Sequence, residues 1–234
     1  MMQTMLDTLN RELPQLGLNL EDGVKETLCR FGCAVVKQNE VMNLTAITEP
    51  DRVAKLHLLD SLTLLTVADL NGKSVIDVGC GAGFPGVPVK IACPGMKLTL
   101  LDSLGKRMNW LETVLPDLGV NAECVTARAE EAVVSRREQY DFATSRAVAR
   151  LNILLELTAP YVKVGGKVLA MKGSAGKEEL QEAGSAISKL GLKLEKVVEF
   201  PVEDGNHCII VLKKVKPTPS QYPRRYAKIK QSPL

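Results

Sequence analysis

Along the first seventy residues apolar side chains recur at helical spacing. Met5, Leu6, Leu9 and Leu13 fall on one face, and Pro14 with Gly17 ends the run. Glu21 and Asp22 suit a first turn, after which Val24, Leu28, Phe31 and Val35 mark the buried face of a second helix. Asn43–Ile47 reads as a loop. Thr48 then serves as N-cap and Pro50 sits in the first turn of a third helix, which passes His57, Asp60 and Ser61 to about Val67. Asn71-Gly72 is a turn signal. Beyond it the pattern changes to short apolar runs alternating with helical ones. The strands are Ser74–Val78, Lys97–Leu101, Glu123–Thr126, Phe142–Ser145 and Lys167–Met171. Helices fall at Pro85–Ala92, at Lys106–Leu115 with Met108, Leu111 and Val114 inward, and at Lys177–Leu190. Leu192–Phe200 and His207–Val215 form a closing hairpin around the turn Glu203-Asp204-Gly205-Asn206. This is an α/β pattern. It predicts a mostly parallel, Rossmann-like sheet of seven strands with an antiparallel last strand at its edge, and an N-terminal helical extension. Three regions follow: helical residues 1–70, a core over 71–215, and a tail over 216–234 whose prolines Pro217, Pro219, Pro223 and Pro233 predict an extended rather than helical backbone.

The chemistry begins where the first strand ends. After Val75-Ile76-Asp77-Val78 come Gly79, Gly81 and Gly83 at alternate positions, then Phe84-Pro85-Gly86. Glycine accepts positive φ and, without a Cβ, lets a ligand approach the main chain. Strand, glycine turn and helix together make a nucleotide-cofactor loop at the carboxyl end of a parallel strand. Gly81–Gly86 satisfies the dinucleotide pattern, and Asp102 lies near the ~20-residue spacing of a ribose-binding acid. A second register fits better. Asp77, inside the strand, is costly to bury without a partner, and a dinucleotide has no cation to offer it. S-adenosylmethionine brings an ammonium group and a sulfonium. The hairpin ending also suits a seven-stranded methyltransferase sheet better than a six-stranded dinucleotide fold.

Composition narrows the class. At 234 residues, 45% hydrophobic and 24% charged, the chain fits one soluble globular core with an appendage. No apolar run approaches the ~18 residues of a membrane span, and the start lacks a signal-peptide pattern. Cys29, Cys33, Cys80, Cys93, Cys124 and Cys208 are scattered without a metal-binding pair, so they read as reduced thiols of a cytoplasmic protein, with no metal expected. The net charge of +3 hides an asymmetry: seven basic residues and no acids lie from Lys213 onward, leaving 23 basic against 27 acidic elsewhere. Tyr222 and Tyr226 stand among Arg224, Arg225, Lys228 and Lys230. Clustered cations with stacking rings compose a nucleic-acid contact; the alternative is a solvated, disordered tail.

Ligands of such sheets bind outside the carboxyl ends of the strands. There Asp102 can accept from two ribose hydroxyls. Ala129 and Glu130, after strand three, can meet an adenine edge, although Glu130-Glu131 would equally suit a helix N-terminus. Arg146, after strand four, is placed either to clamp a carboxylate or phosphate or to pair internally with Asp141 or Asp77. Phe84 either walls the methionine side of the pocket or belongs to the core. Lys106 and Arg107 open a helix, where the dipole disfavours cations, a cost compatible with phosphate contacts or with plain solvation. His57, one of two histidines, reads as structural.

Read together, Asn43–Ile47, His57 with Asp60-Ser61-Leu62, Asp77–Gly86, Leu101-Asp102-Ser103 with Lys106-Arg107, Ala129-Glu130-Glu131, Ser145-Arg146-Ala147 and Tyr222-Pro223-Arg224-Arg225 resemble the RsmG (glucose-inhibited division protein B) family, over nearly the whole chain. That family comprises bacterial small-subunit rRNA guanine-N7 methyltransferases with the class I methyltransferase fold. The resemblance implies S-adenosylmethionine held through Gly79, Phe84, Ala129, Glu130 and Arg146, with Asp77, Gly81 and Asp102 beside them. It implies 16S rRNA or the 30S subunit as partner; a monomer is expected, although no feature of the sequence sets the oligomeric state. Guanine N7 carries its own lone pair, so in-line methyl transfer there needs no general base and rests on placement; no catalytic acid or base is expected, and Arg146 is assigned a positioning role. Two absences agree. Ser145-Arg146-Ala147 stands where exocyclic-amine methyltransferases often carry a Pro-Pro-aromatic motif, and the chain has no Pro-Cys pair of the kind used against pyrimidine C5.

Overall fold

The structure, a computed structural model, describes residues 1–202 and 205–234. Helix α1 spans Met2–Glu12 and closes through a 3-10 turn, Leu13–Leu16, with Gly17 left-handed. Helix α2 spans Asp22–Met42 and buries Leu28, Phe31 and Val35, as the spacing predicts. Its end is fixed by Asn39, whose side-chain oxygen accepts the amides of Leu44 (2.6 Å) and Thr45 (2.8 Å) and turns the chain out of the helix. The next helical run, α3, comprises Pro50–Val53, a π-helical turn Ala54–Leu59, Asp60–Leu62 and Leu64–Val67. Its N-cap is Glu49 rather than Thr48, because Pro50 takes the first helical position.

Seven strands follow: β1 Ser74–Val78, β2 Lys97–Asp102, β3 Glu123–Thr126, β4 Tyr140–Arg146, β5 Val162–Lys172, β6 Leu192–Val202 and β7 Gly205–Lys214. Their order is β3-β2-β1-β4-β5-β7-β6. The first five are parallel, and β7 runs antiparallel to both β5 and β6. The antiparallel strand is therefore not at the edge, as the sequence suggested. It inserts between β5 and β6, and β6 is the edge. Gly205 and Asn206 of the predicted turn begin β7; Glu203 and Asp204 lie outside the described residues. Strand order reverses between β1 and β4, which pair through Val75↔Phe142, Ile76↔Ala143 and Asp77↔Thr144. That reversal is where such sheets bind ligands.

Helices α4 (Gly86–Ala92) and α5 (Gly105–Asp117) connect the first three strands, with Pro85 as the N-cap of α4 rather than inside its first turn. Helices α6 (Ala129–Ala132) and α7 (Leu151–Thr158) flank β4. The predicted helix after β5 is two short ones, α8 (Gly176–Glu182) and α9 (Gly184–Lys189), interrupted at Ala183. Alternate strand residues face opposite sides. Val75, Leu98 and Leu100 pack with the N-terminal helices through Leu28, Phe31 and Leu58. Ile76, Leu101, Ala143 and Ile210 pack against α7 through Leu151, Leu154 and Leu155.

The tail departs from expectation. Residues Tyr226–Gln231 form a helix, α10, and the segment before it is docked. Arg137 donates to the carbonyls of Thr218 and Tyr222, and the Thr218 hydroxyl donates to Leu190 O (3.0 Å). Tyr222 is buried and Ile229 fully so. Arg224 reaches Glu156 of α7 with two guanidinium bonds, 2.8 and 2.6 Å, and its own amide donates to the same carboxylate at 2.9 Å. Glu156 has no exposed surface, so it depends on this bidentate partner.

Candidate active site

The glycine turn is built as the sequence implies. Gly79 has φ +73, and a Cβ there would stand 2.5 Å from Val148 Cγ2. The amides of Gly79 and Cys80 donate to Leu101 O at 2.7 and 3.2 Å, tying the turn to the end of β2. At Gly86 a Cβ would meet Asp77 Oδ2 at 2.9 Å, so only glycine lets the α4 N-terminus close on that carboxylate. The Gly86 amide donates to Asp77 Oδ2 at 2.8 Å.

Asp77 itself has no exposed surface, and it lies beneath the loop rather than in a cavity wall. Its Oδ1 has no partner, and it is the one such buried side-chain atom among the described residues. Burial pushes the carboxyl up to about 7 against the opposing hydrogen bond from Gly86. A cation brought above this loop would find an unneutralised carboxyl below it, and this orphan oxygen fits an ammonium- and sulfonium-bearing cofactor.

Two cavities open over the strand ends and meet at Gly79, Arg107 and Ala147. The smaller, about 350 Å³, is walled by Asp102, Ala129, Glu130, Leu157 and Tyr226. Asp102 is buried; its Oδ2 accepts the Gly81 amide and its Oδ1 the Leu104 amide, each at 2.9 Å. Each oxygen keeps a further lone pair for a diol. Ala129 O accepts from the Tyr161 hydroxyl at 2.5 Å, and Glu130 holds Arg128 at 3.2 Å. Gly81 faces open space: a Cβ there would have Arg107 as its nearest neighbour, 3.9 Å away.

The larger cavity, about 660 Å³, is lined by Thr45, His57, Phe84, Arg146, Glu179 and His207, among others. Arg146 ends β4 and pairs with neither Asp141 nor Asp77. Its guanidinium donates to Asp60 Oδ2 at 2.7 Å and to Leu56 O at 2.9 Å, and it lies over the Phe84 ring at 5.2 Å. The π-helical turn of α3 presents Leu56 and His57 to it. Asp60 is buried and also bonds His207 Nδ1 at 2.9 Å; burial raises its carboxyl, but His207 and Arg146 outweigh that and hold it below the usual range. His57 stacks on Phe84 at 4.7 Å and shares a hydrogen bond with Thr45 Oγ1 at 2.7 Å. Burial, then the charge of Arg146, lowers His57 to about 4, so its imidazole is neutral at pH 7. Phe84 thus belongs to the core and to the cavity wall together.

The cationic residues separate into two kinds. Lys106 is exposed and Arg107 lines both cavities; Arg225, Lys228 and Lys230 are exposed on the docked tail, which meets the smaller cavity through Tyr226. Arg224 instead turns inward to Glu156. Sequence reasoning missed Asp60, Glu179, His207 and Tyr226 as cavity residues. Only the His57–Asp60 spacing, one helical turn, could have signalled that the first of these shares a face with His57. Among the described residues no cluster of acids, histidines and cysteines could hold a metal ion, and no helix is long and apolar enough to cross a membrane.

Residues 24–208 match the model of a family described as GidB, rRNA small subunit methyltransferase G. A protein of Alkaliphilus metalliredigens named ribosomal RNA small subunit methyltransferase G is 43% identical over 226 residues, covering 94% of this chain and 95% of its own. One of the same name from Alkaliphilus oremlandii is 46% identical, covering 93% and 95%. Among solved structures, M. jannaschii TYW2 in complex with AdoMet superposes with a TM-score of 0.56 at 13% identity, over 68% of this chain and 76% of that one. The YcgJ protein of Bacillus subtilis superposes with a TM-score of 0.55 at 13% identity, over 68% of this chain and 100% of that one. The likeness to these two structures is one of fold.

Proposed function

Because the chain belongs to the rRNA small subunit methyltransferase G family, a family of S-adenosylmethionine-dependent enzymes, we propose that it methylates N7 of one guanine in 16S rRNA, presented as naked RNA or within the 30S subunit. Bound S-adenosylmethionine supplies a methyl group made electrophilic by the sulfonium. Asp102 would hold the ribose diol, Ala129 and Glu130 the adenine edge, and the Gly79–Gly81 backbone the bridge between the two cavities. Asp77 would supply negative charge beneath the glycine loop. The larger cavity then receives the methionine end and the acceptor base.

The observation that carries the N7 reading is the state of the groups lining that larger cavity. Among the described residues its two carboxylates are already paired, Asp60 with Arg146 and His207, and Glu179 with Lys172 at 2.7 Å. His57, lowered to about 4, is a poor proton acceptor at neutral pH. His207, the other histidine of the wall, spends Nδ1 on Asp60, and a cavity whose acids are engaged in this way suits an acceptor atom that brings its own lone pair, as guanine N7 does. Arg146, fixed by Asp60 and Leu56 O, acts by placement. Arg107 in the wall of the cleft, with the exposed Lys106, Arg225, Lys228 and Lys230, would meet phosphates, while Arg224 anchors the segment that presents the last three.

The test is incubation with methyl-labelled S-adenosylmethionine and either naked 16S rRNA or 30S subunits lacking the modification, followed by nuclease digestion. Labelled N7-methylguanine at one site is expected. Label in another nucleoside, or none in RNA, overturns the reading.

A further inference from the structure

The docked tail does more than carry charge. Tyr226, the first residue of α10, lies in the wall of the smaller cavity, which Asp102 also lines. It is half-buried, unlike its neighbours Tyr222 and Ile229, which are sealed into the core. One face of its ring is covered by the Arg128 guanidinium at 4.5 Å, and Arg128 is held by Glu130 at 3.2 Å. A continuous chain of contacts thus runs from the cavity acid Glu130, through a stacked cation, to the tail.

The wall is built rather than loose. Arg224, two residues before Tyr226, is locked to the fully buried Glu156, and Ile229, three residues after it, is fully buried. Undocking α10 would leave Glu156 an unpaired buried carboxylate, so the segment stays in place when the cleft is empty. A planar heteroaromatic base prefers aromatic and guanidinium surfaces to water, and the stacked Arg128–Tyr226 pair is such a surface in the wall of the cavity.

Resting on the S-adenosylmethionine reading above, we propose that Tyr226, with Arg128 stacked on it, closes the adenosine half of the cofactor site, so that the C-terminal segment belongs to the cofactor pocket as well as to the RNA-facing rim. Ring area rather than the hydroxyl should matter, since no hydrogen bond fixes that hydroxyl among the described residues.

The experiment uses the full chain and needs no turnover. Dissociation constants for S-adenosylmethionine, S-adenosylhomocysteine and adenosine are measured by calorimetry for the parent, Tyr226→Phe and Tyr226→Ala. Tyr226→Phe should bind all three within about twofold of the parent. Tyr226→Ala should weaken all three by a similar factor, about tenfold, because the loss falls on the part they share. With only four tyrosines in the chain, ring-labelled tyrosine resonances are assignable, Tyr226 by its disappearance in Tyr226→Phe. On saturation with adenosine the Tyr226 signal should move more than those of Tyr140, Tyr161 and Tyr222. Parent-like binding by Tyr226→Ala, or a Tyr226 signal unmoved at saturation, overturns the proposal while leaving the methyltransferase reading intact. A parent that binds none of the three ligands overturns that reading as well.

Discussion

Replacing Asp77 by asparagine should stabilise the empty protein and weaken its hold on a cationic cofactor. The carboxyl is fully buried, one oxygen accepts the Gly86 amide, and the other has no partner. Burial raises it from the ordinary 3.8 to about 7. With the folded value above the unfolded one, the unfolded chain releases this proton first, so stability falls as pH rises from about 4 through about 7 and then levels off. The whole interval is worth roughly 4 kcal/mol, of which about 2 to 3 kcal/mol lies between pH 5 and pH 8. Asparagine keeps an oxygen for Gly86 and has no such titration. In urea denaturation the advantage of Asp77→Asn over the parent should therefore grow by about 2 to 3 kcal/mol from pH 5 to pH 8. Calorimetry should show the opposite ranking for S-adenosylmethionine, with parent affinity rising through pH 7 and the variant's staying flat. An advantage that is flat with pH would mean that Asp77 is ionised in the fold at its ordinary value, and it would refute this account of the orphan oxygen.

Arg224→Ala strands the buried Glu156 carboxylate and should cost about 3 to 5 kcal/mol in urea denaturation, most of it recovered in the double variant Arg224→Met with Glu156→Met. For the same reason, removing residues 216–234 would disturb the fold along with RNA binding. The exposed pair Lys228→Ala and Lys230→Ala should leave the melting temperature unchanged, weaken rRNA binding, and reduce the slope of log K against log salt by about 1 to 2 in filter binding. His57 should show no NMR titration between pH 6 and 8, with a midpoint near 4. Its lowered value places any associated loss of stability between about 6.5 and 4 as pH falls, and the methyl-transfer rate should carry no His57 limb near neutrality.

The sheet was legible because each parallel strand is a short apolar run bounded by turn residues, and β1 and β3 occupy the residues that the pattern marks. Helix α7 was not. Leu151, Leu154, Leu155 and Thr158 keep helical spacing and are buried, but eight residues give the period only about two turns in which to show. The tail was misread as extended because its anchors, Arg137, Glu156 and Leu190, are distant in the chain, while local proline content spoke against a helix. In the site, position at the strand ends identified Gly79, Asp102 and Arg146. Arg146's partner Asp60 comes from another element 86 residues away, and His207 and Tyr226 arrive only through the hairpin insertion and the tail docking. Asp77 was correctly singled out as a costly burial, but the strand's inward-facing register puts it under the loop instead of in the pocket.

The reversal of strand order has a consequence for the protein's lifetime. β1 and β4 meet through three registered pairs and the Ser145 hydroxyl bond to Val78 O at 2.7 Å. The cleft straddles that junction: Gly79, Asp102 and Glu130 come from the chain before it, and Arg146, Ala147 and Tyr226 from the chain after it. Any molecule seated there is a clasp between two halves that were synthesised in succession. At a hundredfold excess over its dissociation constant it adds about 2.7 kcal/mol to the cohesion of the whole. A cell short of the methyl donor would then carry less of this protein as well as a slower one, because the unclasped form opens more often to proteolysis.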